Sequence, residues 1–244
     1  MSEKLTLHVL AFSHPSRAAI QALELKGLDY ELVELAPGPH NETMEELYGE
    51  GNQTVPGLLV GEEAVHGSRA IFERLEQLQP DPPLYPSDAV HEADRWGDED
   101  LQPLGRHLAW GALHFRPELL GALLGGEPLD PAATDHAIRF IRGVWRHHGI
   151  SCEVIAEDLA GLPDKIRHVE ELIDEGVIGG EQPNAADLQI ASTLRVFLNI
   201  DDVSPLLEGG PAADLARRWF PAYEASMPAG AFPPAWIPSP TPRE

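Results

Sequence analysis

Gln79-Pro-Asp-Pro-Pro-Leu-Tyr-Pro86 carries prolines at 80, 82, 83 and 86, and it divides the chain. A helix cannot run through it, because each proline lacks an N–H and clashes with the preceding turn. Upstream, strand and helix patterns alternate. Leu5-Thr-Leu-His-Val-Leu10 is a period-two run of strand formers. Residues 16–26 place Ala19, Ile20, Leu23 and Leu25 on one side, and Gly27 is a suitable stop. Residues 30–35 predict a second strand and residues 42–48 a short helix. A third strand starts at Val55-Pro56, and the turn Gly61-Glu62 leads to a fourth over 63–66. Residues 68–78 complete the order β-α-β-α-β-β-α, a crossover unit followed by a hairpin.

Downstream of Pro86 the strand pattern vanishes. Helices are predicted over 89–115, 131–148, 152–159, 164–175, 185–200 and 212–220. From Pro228 onward the chain is Pro-rich, and Phe232 and Trp236 predict an extended tail packed on the surface. The expected division is therefore an α/β domain over residues 1–79, a linker over 80–87 and an all-helical domain over 88–244.

Composition narrows the function. The 244 residues include 40 acidic and 17 basic side chains, a formal net charge of −23. A field of that sign repels nucleic acid and anionic membranes. No apolar run reaches the roughly 18 residues that span a bilayer, and no basic segment followed by an apolar one opens the chain. A cytoplasmic protein is expected. Cys152 is the single cysteine, so neither an internal disulfide nor a cysteine zinc site can form. His107 and His114 are seven apart without a third ligand, and His147-His148 is a bare pair, so no metal is expected. No phosphate-binding or dinucleotide-binding glycine motif occurs.

Three upstream segments carry the chemistry. Ser13-His-Pro-Ser16-Arg17-Ala18 lies between the first strand and the first helix. A hydroxyl there sits at the positive end of the helix dipole, where thiolate is favoured over thiol; both serines also suit a helix cap. Gln53-Thr54-Val55-Pro56-Gly57-Leu58 enters the third strand. Gly67-Ser68-Arg69-Ala70-Ile71 opens the third helix, whose N–H groups can receive a carboxylate. Downstream, Asn184-Ala-Ala-Asp187 has capping-box spacing, a structural device.

Together these segments resemble the glutathione transferase family, most closely its delta and theta classes. The resemblance implies a thioredoxin-like domain followed by a helical bundle, a homodimer, and glutathione as cosubstrate without a covalently held cofactor. It implies that Ser13 donates to the thiol sulfur, with Ser16 as the alternative contact. It implies a cis Val55-Pro56 whose backbone pairs with the tripeptide like an added strand, assisted by Gln53. Ser68 and Arg69 would take the γ-glutamyl carboxylate. His107, Trp110 and His114 lie on the helix that in this family lines the pocket for an apolar electrophile. The pattern is broken at Gly67, where the family has an acidic residue or Gln, and at Gln53, where the delta class often has His. Those departures leave two alternatives beside the transferase: an enzyme using another small thiol, and a non-catalytic binding or scaffold protein on the same fold.

Overall fold

The computed structural model describes residues 3–124, 126–222 and 226–240. Before the Pro-rich connector the elements are β1 (Leu5–Val9), α1 (His14–Leu25), β2 (Glu31–Glu34), α2 (His40–Tyr48), β3 (Gly57–Val60), β4 (Glu63–His66) and α3 (Ser68–Leu78). The sheet runs β2-β1-β3-β4, with β1 parallel to β2 and antiparallel to β3, and β3 antiparallel to β4. Leu5, Leu7 and Val9 alternate along β1 into one core with Leu23, Leu58, Ile71, Phe72 and Leu75. That core lies between the sheet and the α1–α3 pair. Leu10, Met44, Tyr48 and Val55 form a smaller cluster that includes α2. This is the thioredoxin-like arrangement.

α1 begins two residues before the predicted 16–26. Pro15 can occupy its first turn, where a missing N–H costs nothing, and Ser13 caps it. β3 starts at Gly57, behind the cis Val55–Pro56 peptide. A Cβ on Gly57 would stand 2.4 Å from the Tyr48 ring, so that ring packs where only glycine fits.

The connector is tied down from below. The Lys26 ammonium is fully buried, 2.5 Å from the Glu76 carboxylate, and donates to the carbonyls of Pro80 (3.2 Å) and Pro82 (2.7 Å). Glu76 also accepts from Leu84 N–H at 2.8 Å. A buried ammonium needs such a set of acceptors to offset its desolvation.

Beyond the connector come α4 (Asp88–Trp96), α5 (Gln102–Phe115), the short α6 (Leu120–Leu123), α7 (Pro131–His147), α8 (Cys152–Asp174), α9 (Ala185–Phe197) and α10 (Pro211–Trp219). The predicted helix over 89–115 is three pieces, because a π-helical turn at Gly97–Leu101 separates α4 from α5. Gly97 lies against α9, where a Cβ would stand 3.0 Å from Gln189 and Ile190, and Pro103 follows in the first turn of α5. The helices predicted over 152–159 and 164–175 are one helix, α8, which runs through Pro163. α9 is the central strut, packed by α1, α4, α5 and α10. Its capping box is formed: Asn184 Oδ1 accepts from Asp187 N–H and Asp187 accepts from Asn184 N–H, both at 3.0 Å. The segment after α10 returns along the molecule. Met227 N–H donates to Asn199 at 2.7 Å, and Phe232 is buried. Among the described residues no helix is long and apolar enough to cross a membrane.

Candidate functional site

The N-terminus of α1 faces α5 and α7 across a cleft of about 330 Å³. One wall comes from the sheet half: Phe12, Ser13, His40, Gln53, Thr54 and Val55. The other comes from the helices: Arg106, Trp110, Arg139, Phe140, His147 and His148. Asn199, Ile200 and Met227 also line it.

Ser13 is half-buried at the cleft surface. Its Oγ accepts from Ser16 N–H at 3.4 Å, the N-cap of α1. A capping hydroxyl accepts with a lone pair and keeps its own proton to donate. Ser13 therefore presents an O–H donor at the positive end of a 12-residue helix, a position that stabilises an anion. Ser16, the alternative sulfur contact, is buried and does not line the cleft; its place in the first turn points it into the protein.

Val55 and Gln53 line the same cleft. Gln53 Nε2 is held by Glu45 at 2.9 Å. Behind the clamp, His66 Nε2 and the Thr54 carbonyl are 2.8 Å apart.

Trp110 lines the opposite wall. Its ring meets Phe12 and Phe140 edge-on, at centroid distances of 6.2 and 5.7 Å. His107 and His114, predicted to share this role, do not line the cleft. His107 is turned to α8 and pairs with Asp158 at 2.7 Å. His114 stacks on Trp145, rings 4.0 Å apart. Seven-residue spacing does put the two on related faces of α5, but the cleft takes the Arg106–Trp110 face.

Ser68 and Arg69 do not line the cleft either. Ser68 is buried and accepts from Gln102 Nε2 at 3.4 Å. The Arg69 guanidinium lies among the chain's own carboxylates: Glu73 at 3.5 Å, Glu99 at 3.5 Å and Asp94 at 3.9 Å. Gly67 has φ +90°, so the position expected to hold an acidic residue has a backbone that favours glycine. Asp94 is fully buried. Burial, and secondarily the nearby Asp98 charge, raises it to about 7 against the opposing Tyr85 hydrogen bond at 2.7 Å.

The cationic side of the cleft was not singled out from the sequence. Arg106 Nη2 donates to Gln102 Oε1 at 2.9 Å. His14 is buried against Gly105, with Nε2 unpartnered. Burial, with Arg106 adding to it, pushes that imidazole down to about 3. His148 also falls to about 3, first by burial and then through Arg106, His147, His107 and His40. His40 is lowered by burial and by His147. One signal was visible: from His136 to His148 the sequence contains three arginines and no acidic residue, in a chain of net charge −23. Gly143 sits in the middle of that run, with nothing within 4 Å of where a Cβ would stand.

Among the described residues, no three His, Cys, Asp or Glu side chains form a metal-holding group. The site instead offers a hydroxyl donor at a helix N-terminus, the adjacent bend at Thr54 and Val55 before the cis Pro56, and an aromatic wall bearing cations.

Residues 7–83 match the family model of the glutathione S-transferase N-terminal domain. No curated protein matches the chain. Among solved structures, the chain is similar to the beta-etherase LigF from Sphingobium sp. strain SYK-6 at 18% identity, covering 89% of this chain and 90% of that one, TM-score 0.60. It is similar to the theta class glutathione S-transferase from Xanthomonas axonopodis pv. citri with glutathione bound, at 16% identity over 90% and 91% of the two chains, TM-score 0.58. It is also similar to glutathione transferase F7 from Populus trichocarpa, at 15% identity over 89% and 92%, TM-score 0.54. At these identities the likeness is one of fold. Residues 7–83 thus carry the match to the glutathione S-transferase N-terminal domain, and the sheet half and helical half together have the fold of these solved structures.

Proposed function

We propose that this protein is a thiol transferase that activates glutathione, or a related small thiol, for attack on an electrophile with an apolar body. The observation that carries the reading is the placement of Ser13. It caps α1, keeps a donor proton, and opens onto the cleft that the two halves share. The thiol sulfur accepts from Ser13 Oγ–H and loses its proton to solvent, and the helix terminus stabilises the thiolate that remains. The thiolate then attacks the electrophilic carbon against Trp110 and Phe140. A C–S bond forms as the leaving group departs with its bonding pair. Val55, beside the cis Pro56, aligns the thiol's backbone, and Gln53 flanks it. The glutathione bound to the theta class relative supports glutathione as the cosubstrate.

In this reading residues 1–79 are the thiol-binding domain, 80–87 the connector and 88–244 the electrophile-binding domain. The protein is a cytoplasmic homodimer that contacts neither nucleic acid nor membrane. A second reading, another small thiol, is favoured by Ser68 and Arg69. Both are engaged by Gln102 and by carboxylates of the chain itself, and a thiol without a γ-glutamyl end would leave those contacts undisturbed.

Ser13→Ala tests the mechanism. Turnover should fall by about a hundredfold, the scale for removing one donor from a developing anion, while thermal stability falls by only about 1 kcal/mol for the lost cap. Unchanged turnover overturns the mechanism. Calorimetric titration with millimolar glutathione tests the thiol, and absence of heat removes the glutathione version.

A further inference from the structure

The chain carries 40 acidic residues against 17 lysines and arginines, yet no described residue lining the cleft is acidic. Arg106, Arg139, His147 and His148 supply its helical wall. Among the described residues, no carboxylate lies within ion-pair distance of Arg106 or Arg139, whereas Arg69 has three. Arg106 Nη2 donates instead to a neutral amide oxygen, Gln102 Oε1, at 2.9 Å. Asp98 acts on this guanidinium only from beyond ion-pair distance, and a half-buried guanidinium without a directly paired carboxylate is costly to keep. Its planar fork matches a carboxylate, which would satisfy it by two charge-assisted hydrogen bonds.

The positions on α5 say what else that ligand must be. Arg106 and Trp110 are four residues apart, so they share a helix face one turn from each other. A flat body lying on Trp110 and Phe140 can therefore reach Arg106 with a substituent. Arg139 and His147 stand at the exposed mouth, and His148 lies half-buried between them and Arg106. Burial and then the neighbouring cations lower His148, and burial and then His147 lower His40, in keeping with a site short of negative charge.

We propose that the electrophile is an unsaturated or aromatic molecule bearing a carboxylate, seated with its flat body on Trp110 and its carboxylate on Arg106. This rests on the transferase reading for the word electrophile, and on the cleft's own charge for the carboxylate. The thiol's carboxylates are another source of negative charge, so the experiment separates the two.

The probes are chlorodinitrobenzoate and its neutral methyl ester, each offered with glutathione. In both, the thiolate forms a C–S bond at the chlorine-bearing carbon, chloride leaves with the bonding pair, and the thiol proton goes to buffer. Relative to the uncatalysed rates, the acid should be preferred in kcat/KM by about tenfold, the low end for a hydrogen-bonded charge. Arg106→Met should bring that ratio to about one, and Arg139→Gln, an exposed change with little effect on folding, should lower it by about twofold to threefold. Equal use of acid and ester by the wild type overturns the proposal. So does a ratio that neither variant alters. If Arg106→Met instead weakens glutathione and leaves the ratio intact, the cations serve the thiol and the proposal fails.

Should neither probe react, the glutathione version of the transferase reading falls, and binding still decides the carboxylate. Unreactive dinitrobenzoate should bind the wild type about tenfold more tightly than dinitrobenzamide. Loss of that margin in Arg139→Gln or Arg106→Met supports the carboxylate site, and equal affinity of the two overturns it.

Discussion

Arg69 and Arg106 flank a single side chain, Gln102, and lie in opposite fields. Gln102 Nε2 reaches Ser68, the neighbour of Arg69, and Gln102 Oε1 accepts from Arg106. On one side Arg69 meets Glu73, Asp94 and Glu99. On the other, Arg106 faces a cleft whose described lining has no carboxylate. The two arginines are the same ion, so the difference lies wholly in what surrounds them. Arg69 answers charge that the chain itself placed there, and it was conspicuous in the sequence because it sits in a motif. Arg106 has no carboxylate at ion-pair distance among the described residues and feels Asp98 only from farther off, behind Gln102, and it was inconspicuous because no motif contains it. Availability follows from surroundings, not from the local string of residues.

Removing the bridge should disturb both sides most. Gln102→Leu leaves Arg106 without its acceptor and takes one donor from Asp98 at 2.9 Å. Leaving buried polar groups unpaired costs about 2–3 kcal/mol, a fall in Tm of about 5–10 °C at this size. A melting curve that moves by a degree or less would show the two regions to be uncoupled. The acidic side has its own signature in pH. Asp94 is raised from 3.8 to about 7, so the folded state holds the proton more tightly than the unfolded chain. Its contribution is fully present below 3.8 and is lost as pH rises through about 7. His14 and His148, lowered from 6.5 to about 3, act in the opposite sense. Their contribution is present above 6.5 and is lost as pH falls toward 3. Asp94→Asn should therefore remove the downward slope and leave the histidine slope, gaining on the order of 1–2 kcal/mol above neutrality. Equal gain at every pH would reject Asp94 as the titrating group. The smallest effect belongs to Arg69→Gln, because its pairs are long and partly exposed. About 0.5 kcal/mol is expected at low salt, vanishing in molar salt. A loss several times larger would mean that its carboxylates act as a buried ion-pair network rather than as long, partly exposed pairs.

The thioredoxin-like half was legible because its signals are local. Ser13 before α1 and the Val55-Pro56 entry to β3 each lie within six residues of sequence, as does the Asn184–Asp187 box of the helical half. The break at Gly97–Leu101 was not legible, since Gly97 packs there against Gln189 and Ile190 of α9, far away in sequence. α8 hid its continuity behind Pro163, which reads locally as a stop. The helical wall is drawn from α5, α7, Asn199 and Met227, and only packing brings those together. The resemblance put His107, Trp110 and His114 together on one pocket helix; Trp110 lines the cleft, while His107 turns to Asp158 and His114 to Trp145, which no local pattern of residues expresses.

Gly143 connects the shape of this cleft to its history as a helix. Alanine there would meet nothing within 4 Å and would firm α7 by about 0.5–1 kcal/mol. The vacant space is thus held open against the helix's own preference. Successively larger residues at this one address would narrow the cleft between Arg139 and His147 without moving the Ser13 wall, grading ligands by girth as a sieve does. Two proteins differing only at position 143 could share every polar contact and still sort the same mixture differently.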